Sequence, residues 1–202
     1  MLVDVQIIAR LDEMFDLEKS ENVTRYGLLK QVNPNSIDLT IAKHYKRPNA
    51  VKNPVVYGFS GAEERKLYDF AYWKDCTADD GYIVLKPNDI ILGATREYVM
   101  MPDDMSGQLF TKSTMGRMFI NHMMAGVVDA GFRGVLTLEL RNEGIHTVRI
   151  PVGAPVVQMI CYELPRKPEK PYWFESRNSR YMGAQTVETA KWKNERKSKN
   201  GR

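Results

Sequence analysis

Cysteine is nearly absent from this chain. Cys76 and Cys161 are the only two among 202 residues, too few for a disulfide framework and unpaired for a metal motif. Both are expected as reduced thiols, Cys161 packed in a strand and Cys76 in a loop. Histidine is scarce too: His44, His122 and His146 complete the set, so a zinc site is not expected. There is no P-loop and no Gly-x-Gly-x-x-Gly. No apolar run reaches membrane-spanning length, and the N-terminus lacks a basic region followed by an apolar stretch. These absences lead us to expect a cytoplasmic, unprocessed chain that makes no use of a membrane. No internal repeat or low-complexity tract stands out.

Charge of one sign is also lacking over most of the sequence. The formal net charge is +4, but Lys191, Lys193, Arg196, Lys197, Lys199 and Arg202 against Glu195 give +5 at one end, leaving about −1 on the rest. A basic nucleic-acid face on the folded body is therefore not indicated. Residues 191–202 read as a basic, solvated tail, and residues 1–190 as one domain with room for a core.

The first segment reads as an amphipathic helix, with Asp4 as its cap and Ile7, Ile8, Leu11, Met14 and Phe15 at helical spacing. Alternation follows: Ile37, Leu39 and Ile41 against Asp38 and Thr40 suit a half-buried strand. His44 to Gly81 reads as irregular, with a short strand around Val55 to Phe59. From Tyr82 onward, short strands and turns alternate. The expected strands are 82–85, 90–95, 98–101, 108–111, 126–128, 135–140, 147–150 and 156–164, with one helical turn at 114–119. Such spacing predicts a mainly β sandwich or barrel.

Chemistry concentrates between Lys112 and Asn142. In Val135-Leu136-Thr137-Leu138-Glu139-Leu140 the pleat sends the leucines to one face and Val135, Thr137 and Glu139 to the other. The leucine face is the core, so Glu139 faces solvent, a partner subunit or a pocket. A carboxylate needs a water and partial desolvation to act as a general base; otherwise it is an ordinary exposed strand glutamate. Asp129 lies at an apparent hairpin, Val128-Asp129-Ala130-Gly131-Phe132-Arg133-Gly134. Aspartate is common in turns for local reasons, but beside Phe132 it can accept a sugar hydroxyl while the ring packs on the sugar. Lys112-Ser113-Thr114-Met115-Gly116-Arg117 joins two cations and two hydroxyls at the start of a helical turn, a phosphate-type donor set.

Together these segments resemble the dCTP deaminase family of the dUTPase-like superfamily, and most closely its bifunctional deaminase–dUTPases. The likeness rests on Lys112 to Arg117, on Ala125 to Gly134 and on Thr137-Leu138-Glu139. Leu92 to Thr95 with Glu97-Tyr98, Gly153 to Gln158, Ser179-Arg180-Tyr181 with Gln185, and Asn35 to Leu39 support it. The resemblance implies a dUTPase-like β-barrel or jelly-roll (β-clip) with an N-terminal helix and a short helix before the active-site hairpin. It implies a homotrimer with sites between subunits, and Mg²⁺ bound with the triphosphate in place of zinc. By the same resemblance Glu139 is the general base for attack of water on C4 of cytosine, with Ser113 and Arg117 assisting. Lys112, Ser113 and Thr114 also bind the phosphates, with Gln158, Tyr172, Arg180 and Gln185 helping, and Met115, Gly116 and Arg117 complete the substrate-binding loop. Asp129 takes the deoxyribose 3′-hydroxyl and serves a second hydrolytic step, Phe132 packs on the sugar, and backbone near Thr137 and Leu138 reads the pyrimidine.

Departures from the family pattern are Lys112 in place of Arg, Thr114 for Ser, Arg180 for Lys, Met124 for a small polar residue, and one residue fewer between Arg117 and Asp129. The leading expectation is deamination of dCTP to dUTP, with or without continuation to dUMP and pyrophosphate. The alternatives are a dUTP pyrophosphatase without deaminase activity and a non-catalytic nucleotide-binding regulator.

Overall fold

The computed structural model describes residues 1–49, 72–122, 125–175 and 179–191. The expected strand at 55–59, Met124 and all but the first residue of the basic tail lie outside them.

Helix α1 (Asp4–Met14) buries Ile7, Leu11 and Met14. Its N-cap is Val3, not Asp4. Gln6 Oε1 accepts from Val3 N–H, and Asp4 Oδ1 accepts from Val5 N–H, so Asp4 serves the first turn from inside it. Ile8 falls off the buried stripe and is exposed. Phe15 leaves the helix into the short β1 (Phe15–Asp16). A second helix that the sequence reading missed, α2 (Arg25–Gln31), is capped by Thr24 Oγ1 accepting from Gly27 N–H.

Then come β2 (Val32–Asn33) and β3 (Ser36–Thr40). Ile37 and Leu39 enter the core as expected, yet β3 is buried on both sides. Its polar face is covered because Asp38 accepts from Asn33 and Lys112, while Thr40 donates to Glu97. Strands β4 (His44–Pro48) and β5 (Trp73–Thr77) pair antiparallel within the stretch expected to be irregular. Cys76 is thus in a strand, not a loop. The long segment that separates them hid the pairing.

The remaining elements are β6 (Tyr82–Leu85), β7 (Ile90–Met100), β8 (Met105–Thr111), α3 (Ser113–Arg117), β9 (Ile120–His122), β10 (Val127–Val128), β11 (Arg133–Asn142), β12 (Val148–Pro151) and β13 (Pro155–Glu163). Two expected strands are joined in β7. Arg96 and Glu97 are absorbed as a bulge: Arg96 swings out to the Glu21 and Asn22 carbonyls, and Glu97 turns inward onto Thr40 and Gln31.

The fold is mainly β, as expected. One antiparallel sheet runs β5-β4-β7-β11-β9 with β1 added on β7, a second runs β10-β8-β13-β3-β2, and β12 pairs with β6. The core, with Ile37, Leu39, Leu138, Leu140, Val157 and Met159, is fully buried. Each such side chain stabilises the fold by roughly 1.5–3 kcal/mol relative to exposure. The apparent hairpin at Asp129 is a different device. β10 pairs with β8, whereas β11 pairs with β7 and β9, so the turn carries the chain from one sheet to the other.

Candidate active site

Strand β11 behaves as its alternation requires. Leu136, Leu138 and Leu140 enter the core, while Val135, Thr137 and Glu139 point the other way. That outer face opens on a cavity of about 530 Å³. Asp129 and Phe132 line it from the turn, Leu92 from β7, Trp73 from β5, and Tyr172, Tyr181 and Glu188 from the C-terminal segment.

The C-terminal segment is strapped down bond by bond. Tyr172 N–H donates to the Ala130 carbonyl at 2.8 Å, and the Tyr172 ring lies 5.4 Å from that of Phe132. Gly183 N–H donates to Arg133 at 2.7 Å and Val135 N–H to Ala184 at 2.9 Å, so the segment adds a short edge to β11. Glu188 N–H then donates to Thr137 Oγ1 at 3.0 Å, on the cavity wall. This docking explains Gly134. Its φ is +150°, and a Cβ there would lie 3.0 Å from Ala184 N and 3.2 Å from Ala184 O. Gly134→Val is expected to detach the strap while the sheets persist. Limited proteolysis will show faster cleavage between residues 179 and 191, with little change in far-UV circular dichroism.

Glu139 is half-buried. Burial pushes its carboxyl up from the ordinary value, opposed by a bond accepted from Ala125 N–H. His122 Nε2 stands 3.5 Å from Glu139 Oε2. Burial pushes the imidazole down, which disfavours its charged form. Neither of these two atoms has a hydrogen-bond partner among the described residues. The result is a carboxylate of raised basicity, only partly solvated, at the wall of a cavity large enough for a small organic molecule. That is what proton abstraction from water requires. No lysine or arginine is among the described residues lining the cavity, whereas Asp129, Glu139 and Glu188 are.

The basic segment lies elsewhere on the chain. Ser113, Thr114, Gly116 and Arg117 are exposed on α3. Arg117 edges a second cavity of about 470 Å³ with Phe119, Glu143 and His146. Lys112 Nζ is engaged by Asp38, and Gln158 lies opposite Asp38 in the neighbouring strand. Met115 is committed to the core at 4% exposure, which leaves only its backbone for a ligand; Leu138, fully buried, is in the same position. Arg180 and Gln185 are exposed on the strap.

Of the residues expected at the site, one chain therefore brings together Glu139, Asp129, Phe132, Thr137 and Tyr172. It keeps Lys112, Ser113, Thr114, Arg117 and Gln158 apart from them. Sequence reasoning missed His122, Trp73 and Glu188. Nothing local marks them: His122 reaches Glu139 through the pairing of β9 with β11, and Trp73 arrives on β5.

A family model described as dCTP deaminase-like matches residues 1–164. A protein named dCTP deaminase, dUMP-forming, from Methanothermobacter thermautotrophicus is 29% identical over 175 residues, 86% of each chain. One of the same name from Methanosphaera stadtmanae is 32% identical over 166 residues, 81% of this chain and 82% of its own. Among solved structures, 2′-deoxycytidine 5′-triphosphate deaminase from Agrobacterium tumefaciens matches in fold, with a TM-score of 0.58 at 22% identity over 79% of this chain. The match spans 47% of that longer chain.

Proposed function

The chain belongs to the dCTP deaminase-like family, and from that premise we propose that it hydrolyses the C4 amino group of dCTP, giving dUTP and ammonia. Continuation to dUMP and pyrophosphate is part of the proposal, in keeping with the names of the relatives. One observation carries the reading: a desolvated carboxylate, Glu139, in a cavity that also holds Asp129 and Phe132.

In this mechanism Glu139 takes a proton from water as the oxygen bonds to C4. The proton passes to N3, and the proton of the new hydroxyl then moves through Glu139 to the amino nitrogen, which leaves as ammonia as the C4–N bond breaks and the C4 carbonyl forms. Asp129 accepts the 3′-hydroxyl, Phe132 packs on the deoxyribose and Tyr172 supports Phe132. Asp129 also directs a second water at the α-phosphorus. Backbone near Thr137 and Leu138 reads the ring.

A triphosphate brings several negative charges to a cavity whose lining is acidic. The cations must come from outside it. We assign them to Lys112 and Arg117 of a second copy of the chain, together with Ser113, Thr114 and the backbone of Met115 and Gly116. Gln158, Arg180 and Gln185 complete the phosphate contacts, in a homotrimer with sites between subunits. Among the described residues no three His, Cys, Asp or Glu side chains are grouped to hold an ion. In this proposal Mg²⁺ would enter with the phosphates and water, where it would neutralise charge on the triphosphate.

The test is to incubate the protein with dCTP and Mg²⁺ and resolve nucleotides, pyrophosphate and ammonia. Ammonia with dUTP or dUMP is expected. Inert dCTP alongside hydrolysed dUTP would replace this reading with a dUTP pyrophosphatase. Consumption of neither would leave a binding protein.

A further inference from the structure

The ladder between β7 and β11 is interrupted at one place. Val135 sits opposite Tyr98 and Thr137 opposite Ala94, so Leu136 alone faces Thr95, Arg96 and Glu97. A bulge takes away the usual partner of the residue it faces and re-aims the chain beside it. Here a side chain supplies the missing partner. Leu136 N–H donates to Thr95 Oγ1 at 2.9 Å, and the Thr95 hydroxyl donates in turn to the Glu97 carbonyl at 2.8 Å. Thr95 is 1% exposed and Leu136 8%, so water does not compete for either bond.

The other two bulge residues are occupied elsewhere, Arg96 with the Glu21 and Asn22 carbonyls and Glu97 with Thr40. Thr95 is the one that reaches back to β11. What it holds is the Leu136–Thr137 segment, which lines the cavity next to Glu139. A valine of the same shape would leave a buried N–H without a partner, and the segment would have to move to find one.

We propose that Thr95 is a positioning residue whose hydroxyl fixes this bulge and so aims the Leu136–Thr137 segment at the pyrimidine ring of the bound nucleotide. The inference rests on the proposed function for the identity of the ligand. It concerns recognition of the base, not of the phosphates, and this separates it from a purely structural role.

The test compares wild type with Thr95→Val and Thr95→Ser. Thr95→Ala replaces the valine variant if that does not fold. Three readouts are taken: steady-state kinetics with dCTP, calorimetric binding of Mg²⁺-tripolyphosphate, which lacks a base, and hydrogen exchange at the Leu136 amide. Without the hydroxyl, KM for dCTP should rise on the order of tenfold. Tripolyphosphate binding should be unchanged and the Leu136 amide should exchange faster, and Thr95→Ser should restore all three to wild type. Wild-type KM in the valine variant, failure of serine to rescue, or an equal loss of dCTP and tripolyphosphate binding would each overturn the inference. A wild type inert toward dCTP would remove the proposed function instead. Calorimetric binding of dCTP would then test Thr95, with equal affinities in wild type and valine variant overturning it.

Discussion

Glu139→Gln should abolish ammonia release from dCTP, by about 10²–10⁴-fold or more, while leaving nucleotide binding in place. The amide keeps the size of the side chain and can still accept from Ala125 N–H, but it cannot take a proton from water. The same substitution should raise thermal stability at neutral pH. Burial lifts the folded-state carboxyl above its unfolded value. A group shifted upward in this way contributes its stability below the unfolded value and loses it as pH rises through the folded one. At neutral pH the folded wild type therefore bears a cost of burying this carboxyl that glutamine does not. The gain in Tm should shrink as pH falls toward about 4.5, near the unfolded carboxyl. A variant with lost activity and raised Tm separates a catalytic carboxylate from a structural one, whose removal would lower both.

Arg117→Ala should cost about 10²–10³-fold in turnover, although Arg117 does not line the cavity that holds Glu139. The side chain is exposed, and the described structure shows no ion pair or hydrogen bond that it makes, so stability should change by no more than about 0.5 kcal/mol. The loss follows from charge. The cavity is lined by Asp129, Glu139 and Glu188, and on the proposed function a polyanionic substrate there would draw a guanidinium from another surface. Arg117→Lys should recover little, because a point charge does not replace two parallel N–H donors. Kinetics on folded variants of matched Tm read the effect. Full activity in Arg117→Ala would remove α3 from the site.

Much of this arrangement was legible in the sequence where local pattern decides structure. The period of two in Val135 to Leu140 correctly placed three leucines in the core and Thr137 and Glu139 on the opposite face, because alternation is a property of the strand itself. Polar positions were harder. Asp38 and Thr40 looked like solvent positions and are buried, since their cover comes from Asn33, Lys112 and Glu97, which are distant in sequence or turned inward by a bulge. The turn at Asp129 looked like a hairpin, because glycines report a turn but not which strands it joins. β10 and β11 belong to different sheets, and only pairing reveals that. His122 was invisible as a site residue for the same reason. The separation of Arg117 from Glu139 also had no local signature. Composition and spacing placed them on one short stretch, and the fold put them at different cavities.

Mixing two inactive variants measures the central claim, that one chain supplies the base and another the cations. Glu139→Gln and Arg117→Ala chains, unfolded together and refolded at equal concentrations, should recover about one quarter of wild-type ammonia release. In randomly assembled closed rings that fraction of interfaces joins an intact Glu139 to an intact Arg117. Each variant refolded alone should stay inactive. No recovery in the mixture, with both variants incorporated into the same oligomers, would contradict a site shared between chains.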